Sequence, residues 1–305
     1  MNKIIKSIIK KIPGSKVDIK KKYKKSRILF NATHFHLLKP LYKIWNYKIE
    51  IDNQSIPVRL FYPKRLGIYK VIIYYHGGGF VNGGINSYSK TCSTIAKMTN
   101  HLVVAIDYRL APENPFPAGF NDCYAITKAI FLNPELFYIT NKDITIMGDS
   151  AGGNIAASIS LKARDTKDFK INKQILIYPA LNNKYDNTSP FKSVDDYKNI
   201  AFLGAQRMND YIDLYKNNDQ DLINPYFCPL ASKSFKKLPN TLIFTAELDI
   251  LRDEGEYFAK ILKNAGNKVK LVRVPEVSHG YFSLPYSFPS VKLTYKIINQ
   301  FLKED

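Results

Sequence analysis

The pentapeptide Gly148-Asp149-Ser150-Ala151-Gly152 stands between an apolar, β-branched run, Ile144-Thr145-Ile146-Met147, and a helix-forming run, Gly153-Asn154-Ile155-Ala156-Ala157-Ser158-Ile159. A strand that must turn into a helix within one or two residues has few solutions. Gly-x-Ser-x-Gly is one of them. A glycine on each side lets the backbone turn where a Cβ would collide, so the serine is held strained at the crest with Oγ exposed. The helix that follows points free N–H groups and a positive dipole end at the same spot. As a bare string the pattern also recurs in Gly-rich turns without chemistry, so its weight depends on the rest of the chain.

Three further segments add that weight. The first is Val71-Ile72-Ile73-Tyr74-Tyr75, which reads as a strand buried on both faces and ends in His76-Gly77-Gly78-Gly79. Three successive glycines leave backbone N–H groups bare, as an oxyanion hole requires; alone they would read as a flexible turn. The second is Thr241-Leu242-Ile243-Phe244-Thr245-Ala246, another strand-like run, with Glu247, Asp249, Asp253 and Glu254 beyond it. Asp253 and Glu254 read as cap and first-turn residues of a helix over 254–264, and three of the four acids read as solvated charges. The third is His279, in Ser278-His279-Gly280 after a strand-like stretch over 268–274. Of the five histidines, His34 and His36 lie near the N-terminus, His76 heads the glycine loop and His101 opens a strand. Only His279 lies on a loop downstream of both serine and acids. Serine, then acid, then histidine is the chain order that accompanies a Gly-x-Ser-x-Gly turn.

With these pieces the sequence resembles the hormone-sensitive lipase family of α/β-hydrolase esterases. The matching motifs are His76-Gly77-Gly78-Gly79-Phe80, Tyr108-Arg109-Leu110-Ala111-Pro112-Glu113 with Phe116-Pro117-Ala118, Gly148-Asp149-Ser150-Ala151-Gly152-Gly153-Asn154, Asp249-Ile250-Leu251-Arg252-Asp253-Glu254-Gly255, and His279-Gly280-Tyr281. The family usually has proline after the triad acid, where this chain has Ile250. The resemblance implies Ser150 as nucleophile, His279 as base and Asp249 as acid. It implies oxyanion donors at the N–H groups of Gly78, Gly79 and Ala151, with His76 and the 108–113 segment as structural supports. The implied activity is serine carboxylesterase action on short- to medium-chain acyl esters. An amide or lipid substrate for the same triad, or a non-catalytic ligand-binding homologue, are the alternatives. Some plant hormone receptors of this family lack the triad histidine; the presence of His279 argues for catalysis.

Eight strand-like runs begin near Tyr47, Val58, Lys70, His101, Asp143, Gln174, Thr241 and Lys268. Helix-like runs cover 87–98, 120–131, 151–163, 254–264 and 291–302. Alternation of this kind predicts an α/β fold, a mostly parallel central sheet with helices on both faces. The triad candidates all follow strands, at the sheet edge where sites of open α/β folds gather. Two stretches fall outside the alternation, 1–46 and 181–229. In the resembled family their counterparts form a helical cap, which leaves 47–180 and 230–305 as the α/β-hydrolase core.

Lys and Arg outnumber Asp and Glu by 45 to 26. Residues 1–25 hold ten lysines and one acid, with Ile4, Ile5, Ile8, Ile9 and Ile12 at helical spacing. A basic amphipathic helix of this kind can lie on an anionic membrane, so peripheral contact through 1–25 is one reading. The other is composition, since the whole chain is rich in Lys, Asn, Ile and Tyr. No groove-reading motif supports a nucleic-acid partner. The apolar residues near the N-terminus are interrupted by Lys6, Lys10 and Lys11, unlike a secretory signal, and no run of 18 apolar residues exists, so a cytoplasmic protein is expected. Cys92, Cys123 and Cys228 form neither a disulfide pattern nor, with the histidines, a metal-ligand spacing. No metal or cofactor is expected. The resembled family includes homodimers, but the sequence itself does not reveal the assembly.

Overall fold

The computed structural model describes residues 18–33, 44–51, 54–64, 67–200 and 203–304. Eight strands form one sheet: β1 (Ile44–Ile51), β2 (Gln54–Phe61), β3 (Val71–Tyr75), β4 (Leu102–Ile106), β5 (Ile144–Asp149), β6 (Lys173–Ile177), β7 (Asn240–Leu248) and β8 (Val269–Ser278). Their order is β1-β2-β4-β3-β5-β6-β7-β8. β2 runs antiparallel to β1 and β4, and every pairing from β4 to β8 is parallel. The expected alternation is therefore present. β2 begins at Gln54, earlier than its apolar run, because the hairpin ladder continues to the Ile51–Gln54 pair. Backbone pairing at the end of a ladder needs no apolar side chain.

The helices are α1 (Ile19–Thr33), α2 (Ser89–Thr99), α3 (Ala118–Leu132), α4 (Ala151–Thr166), α5 (Lys192–Tyr197), α6 (Ala205–Tyr215), α7 (Arg252–Asn264) and α8 (Pro289–Lys303). Period-two alternation within the strands sends side chains to two cores. Val71, Ile73 and Tyr75 of β3 pack with α3, α4 and α7 on one face. Ile72 and Tyr74 pack with α2 and α8 on the other. Each fully buried Ile or Val contributes about 1.5–3 kcal/mol, so β3, with no exposed face, anchors both layers at once.

A third apolar cluster lies outside these layers. It joins Tyr185, Val194, Tyr197, Leu203 and Met208 to Leu248, the last residue of β7, and to Ile250 and Leu251 beyond it. The 181–229 stretch thus folds onto the carboxyl end of the sheet, and α1 packs on α6 there, with Lys20 paired to Asp213. Residues 1–17, the larger part of the basic 1–25 segment, lie outside the described residues, as do His34 and His36. Among the described residues no helix is long and apolar enough to cross a membrane.

Candidate active site

β5 delivers Ser150 to the sheet edge. The strand ends at Asp149, α4 begins at Ala151, and Ser150 between them has φ 55° and ψ −119°. A non-glycine residue in that region costs on the order of 1–3 kcal/mol, and the surroundings hold it there: Ser150 N donates to Ile177 O at 2.9 Å, and Ser150 O accepts from Ala180 N at 3.2 Å. Only glycine fits at 152, because a Cβ there would lie 2.0 Å from Tyr75 O. The local sequence therefore closes the turn expected of it.

β7 and β8 bring the other two candidates to the same edge. Their ladder is interrupted between Ala246 and Leu248 and ends with Leu248 opposite Ser278. Asp249 and His279 follow directly. His279 Nε2 lies 2.9 Å from Ser150 Oγ, and His279 Nδ1 lies 2.8 Å from Asp249 Oδ2. With the Nδ1 proton directed at the carboxylate, the Nε2 lone pair faces the serine hydroxyl. Asp249 Oδ1 accepts from Leu251 N at 3.0 Å, so both carboxylate oxygens are engaged in a fully buried side chain. The Tyr178 ring packs against the imidazole with centroids 4.6 Å apart, limiting its rotation.

The glycine loop faces this array. Gly78 and Gly79 have φ of 120° and 64°. A Cβ at Gly78 would sit 2.2 Å from Asn82 O, so glycine is required there for space as well as for conformation. The N–H groups of Gly78, Gly79 and Ala151 take no part in the turn and loop hydrogen bonds among the described residues. Between loop and serine lies a small cavity of about 30 Å³, with Leu203, Met208, Tyr211 and Phe227 among its walls. That volume holds one or two waters. Three larger clefts among the described residues are lined by neither Ser150 nor His279.

His76 is a buried support in geometry. It stacks on Tyr108 at 4.2 Å, its Nδ1 lies 2.8 Å from Gly77 O, and burial lowers its pKa, which favours the neutral imidazole. Arg109 pairs with Asp122 and Glu113 with Arg27, which fixes both ends of the 108–113 segment.

Two expectations are corrected. Asp253 does not cap α7, whose N-cap is Leu251. Asp253 instead accepts from Ser193 N at 2.7 Å and pairs with Arg252. Glu254 is not a solvated first-turn charge but fully buried. The chain over 181–185 folds across it, and its Oε1 accepts from Leu181 N at 2.7 Å and Tyr185 Oη at 3.0 Å. Burial raises its pKa to about 8 against the pull of these donors. A carboxyl raised on folding contributes stability that is complete below the ordinary glutamate pKa of about 4.3 and is lost as pH rises to about 8. Glu254→Gln is therefore expected to flatten the fall in Tm between pH 5 and pH 9. Thermal unfolding of variant and wild type across that range checks it; parallel curves would contradict it.

Sequence reasoning also missed two supports. Asp149 accepts from Tyr74 Oη at 2.7 Å and Gly77 N at 2.9 Å, tying the glycine loop to the strand that carries Ser150. Asn154 donates to Ala180 O at 2.8 Å and Phe227 O at 2.9 Å, fastening both ends of the 181–229 stretch under the serine. Among the described residues no cluster of potential metal ligands occurs.

A family model described as alpha/beta hydrolase fold matches residues 72–283. Alpha/beta hydrolase R526 of Acanthamoeba polyphaga mimivirus is 32% identical over 232 residues, 75% of this chain and 66% of the viral protein, just under two thirds of its length. An arylesterase of Saccharolobus solfataricus is 32% identical over 239 residues, 78% of this chain and 76% of its own. The solved hyperthermophilic esterase of Pyrobaculum calidifontis superposes with a TM-score of 0.84 at 31% identity, covering 99% of this chain and 98% of that one. Taken with the sheet order and the strand-end positions of Ser150, Asp249 and His279, these matches place the chain in the hormone-sensitive lipase-like family of α/β-hydrolases, to which it belongs.

Proposed function

We propose that this protein, a carboxylic ester hydrolase by family, cleaves short- to medium-chain acyl esters through an acyl-enzyme on Ser150. The single observation that carries the reading is His279 standing within hydrogen-bond distance of Ser150 Oγ and Asp249 Oδ2 at once. A serine hydroxyl is a poor nucleophile until a base removes its proton. His279 takes that proton as Oγ adds to the ester carbonyl, and Asp249 holds the tautomer and stabilises the imidazolium. The tetrahedral oxyanion points at the N–H groups of Gly78, Gly79 and Ala151. His279 returns the proton to the alcohol as it leaves. Water then attacks the acyl-Ser150 ester by the same path and releases the acid. Arylesterase and esterase activities among the relatives support an ester over an amide.

We further assign α1 and the 181–229 stretch to a cap over the acyl and alcohol pockets. Leu203, Met208 and Phe227 wall the cavity beside Ser150, so a short acyl chain is the reading that the described walls support. On nitrophenyl esters from acetate to dodecanoate, kcat/KM is expected to peak between C2 and C6 and to fall at least tenfold by C12. A matched anilide is expected to be cleaved at least 100-fold more slowly. A maximum at C12 would favour a lipid substrate, comparable anilide turnover an amidase, and no turnover of any ester a ligand-binding role.

A further inference from the structure

We infer that α1 and α6 hold the oxyanion loop in its working shape, with Arg27 and Tyr211 as positioning residues. The inference rests on the proposed Ser150 chemistry and goes beyond it, because the cap then acts on the rate of the chemical step as well as on substrate entry.

A loop of three glycines does not keep its shape unaided. Fixing each residue costs about 1–2 kcal/mol of backbone entropy, while oxyanion donors work only if they are aimed before charge develops. The upstream side is fixed by the core, through Gly77 N on Asp149. The downstream side is fixed from outside it. Three consecutive residues after the glycines each have a partner on α1 or α6. Phe80 stacks on Tyr215 with ring centroids 3.8 Å apart and planes 2° from parallel. Val81 O accepts from Arg27 Nε at 2.7 Å. Asn82 Nδ2 donates to Tyr211 Oη at 3.0 Å. The restraint reaches the glycines themselves, because Asn82 N and Val81 N donate to Gly78 O at 2.9 and 3.3 Å. The Tyr211 ring also lies directly over Gly79, where a Cβ would come within 2.5 Å of it.

Arg27 serves several partners together. Beyond Val81 O it donates to Ala111 O at 2.8 Å and to both oxygens of Glu113, at 3.1 and 2.8 Å. Ala111 N in turn donates to Phe80 O at 2.9 Å. A planar guanidinium can span these acceptors, and a lysine ammonium cannot. The Lys20–Asp213 pair joins α1 to α6, so the two elements that grip the loop also grip each other. Displacing either one releases the peptide that carries the Gly78 and Gly79 donors.

The test uses Arg27→Ala, Arg27→Lys and Tyr211→Phe in the full-length chain. Three quantities are read: kcat and KM on nitrophenyl butyrate, inhibition by an alkyl trifluoromethyl ketone, and Tm. Ser150 Oγ adds to the ketone carbonyl carbon as His279 takes the serine proton, and the carbonyl π electrons pass to oxygen, which leaves a hemiketal oxyanion in the hole. Deleting one donor outright costs about 10²–10³ in kcat, so loosening the loop is expected to cost less. Expected are losses of kcat of about 10–100-fold for Arg27→Ala and about 3–10-fold for Tyr211→Phe, within that ceiling. Ketone affinity should fall in parallel and KM should change less than threefold. Arg27→Lys should recover only a minor part. Tyr211→Phe keeps the wall and the arginine contacts, so it decides the matter even if Arg27→Ala fails to fold. A rise in KM with kcat and ketone affinity unchanged would overturn the inference and leave these residues as pocket walls. A loss of activity matched by the fraction of unfolded protein would also overturn it. Wild type that neither cleaves an ester nor binds the ketone would instead remove the Ser150 reading on which the inference stands.

Discussion

Ser150→Ala is expected to lower kcat on nitrophenyl butyrate by about 10⁵–10⁶-fold while the protein remains folded. The change removes one oxygen. His279 and Asp249 keep their mutual bond, but the imidazole has no nucleophile to activate. Alanine inherits the unfavourable φ of 55° at the turn, so that cost is the same in both proteins. The native state loses the Oγ–Nε2 hydrogen bond, worth about 0.5–1.5 kcal/mol, which for a chain of this size shifts Tm by only about 2–4 °C per kcal/mol. Steady-state kinetics beside a thermal melt separates the two effects. Residual turnover above about 1% with the same substrate profile would mean that another group does the chemistry, because deleting a triad nucleophile leaves far less than that.

Asp249→Asn should cost about 10⁴-fold in kcat with little change in KM. The reason lies in the donors around the carboxylate. Asp249 receives Leu251 N–H on one oxygen and the His279 Nδ1 proton on the other. Asparagine has one acceptor and one donor. If its oxygen keeps the Leu251 bond, its NH₂ faces Nδ1 and accepts nothing. The imidazole then carries its proton on Nε2 and cannot take one from Ser150. Kinetics as a function of pH checks this. Activity within tenfold of wild type would show that the acid does not set the tautomer.

The triad candidates were legible because each obeys a rule written along the chain. A parallel strand must end before its crossover helix, and three such ends supply Ser150, Asp249 and His279 in order. The double-faced burial of β3 was equally legible as an unbroken apolar run. The burial of Glu254 was not. Its position in the first turn of α7 is correct, but only the path of 181–185, a stretch without periodicity, decides that it is covered. Arg27 lies among many cations and nothing local marks it as the one that reaches Val81, Ala111 and Glu113. Tyr211 belongs to the 181–229 stretch outside the alternation, and its place over Gly79 depends on how α6 docks. Asp149 did carry a signal: an acid that ends an otherwise apolar buried strand needs donors nearby, and Tyr74, Tyr88 and Gly77 provide them.

The most direct measurement is the intact mass of the folded protein after treatment with a fluorophosphonate, followed by peptide mapping. A hydroxyl activated by His279 should displace fluoride and take up one phosphonyl group, on Ser150 alone, with esterase activity lost in step. The same treatment of His279→Ala should leave the mass unchanged. Full ester turnover by protein that gains no mass, or gains it at another residue, would contradict the account.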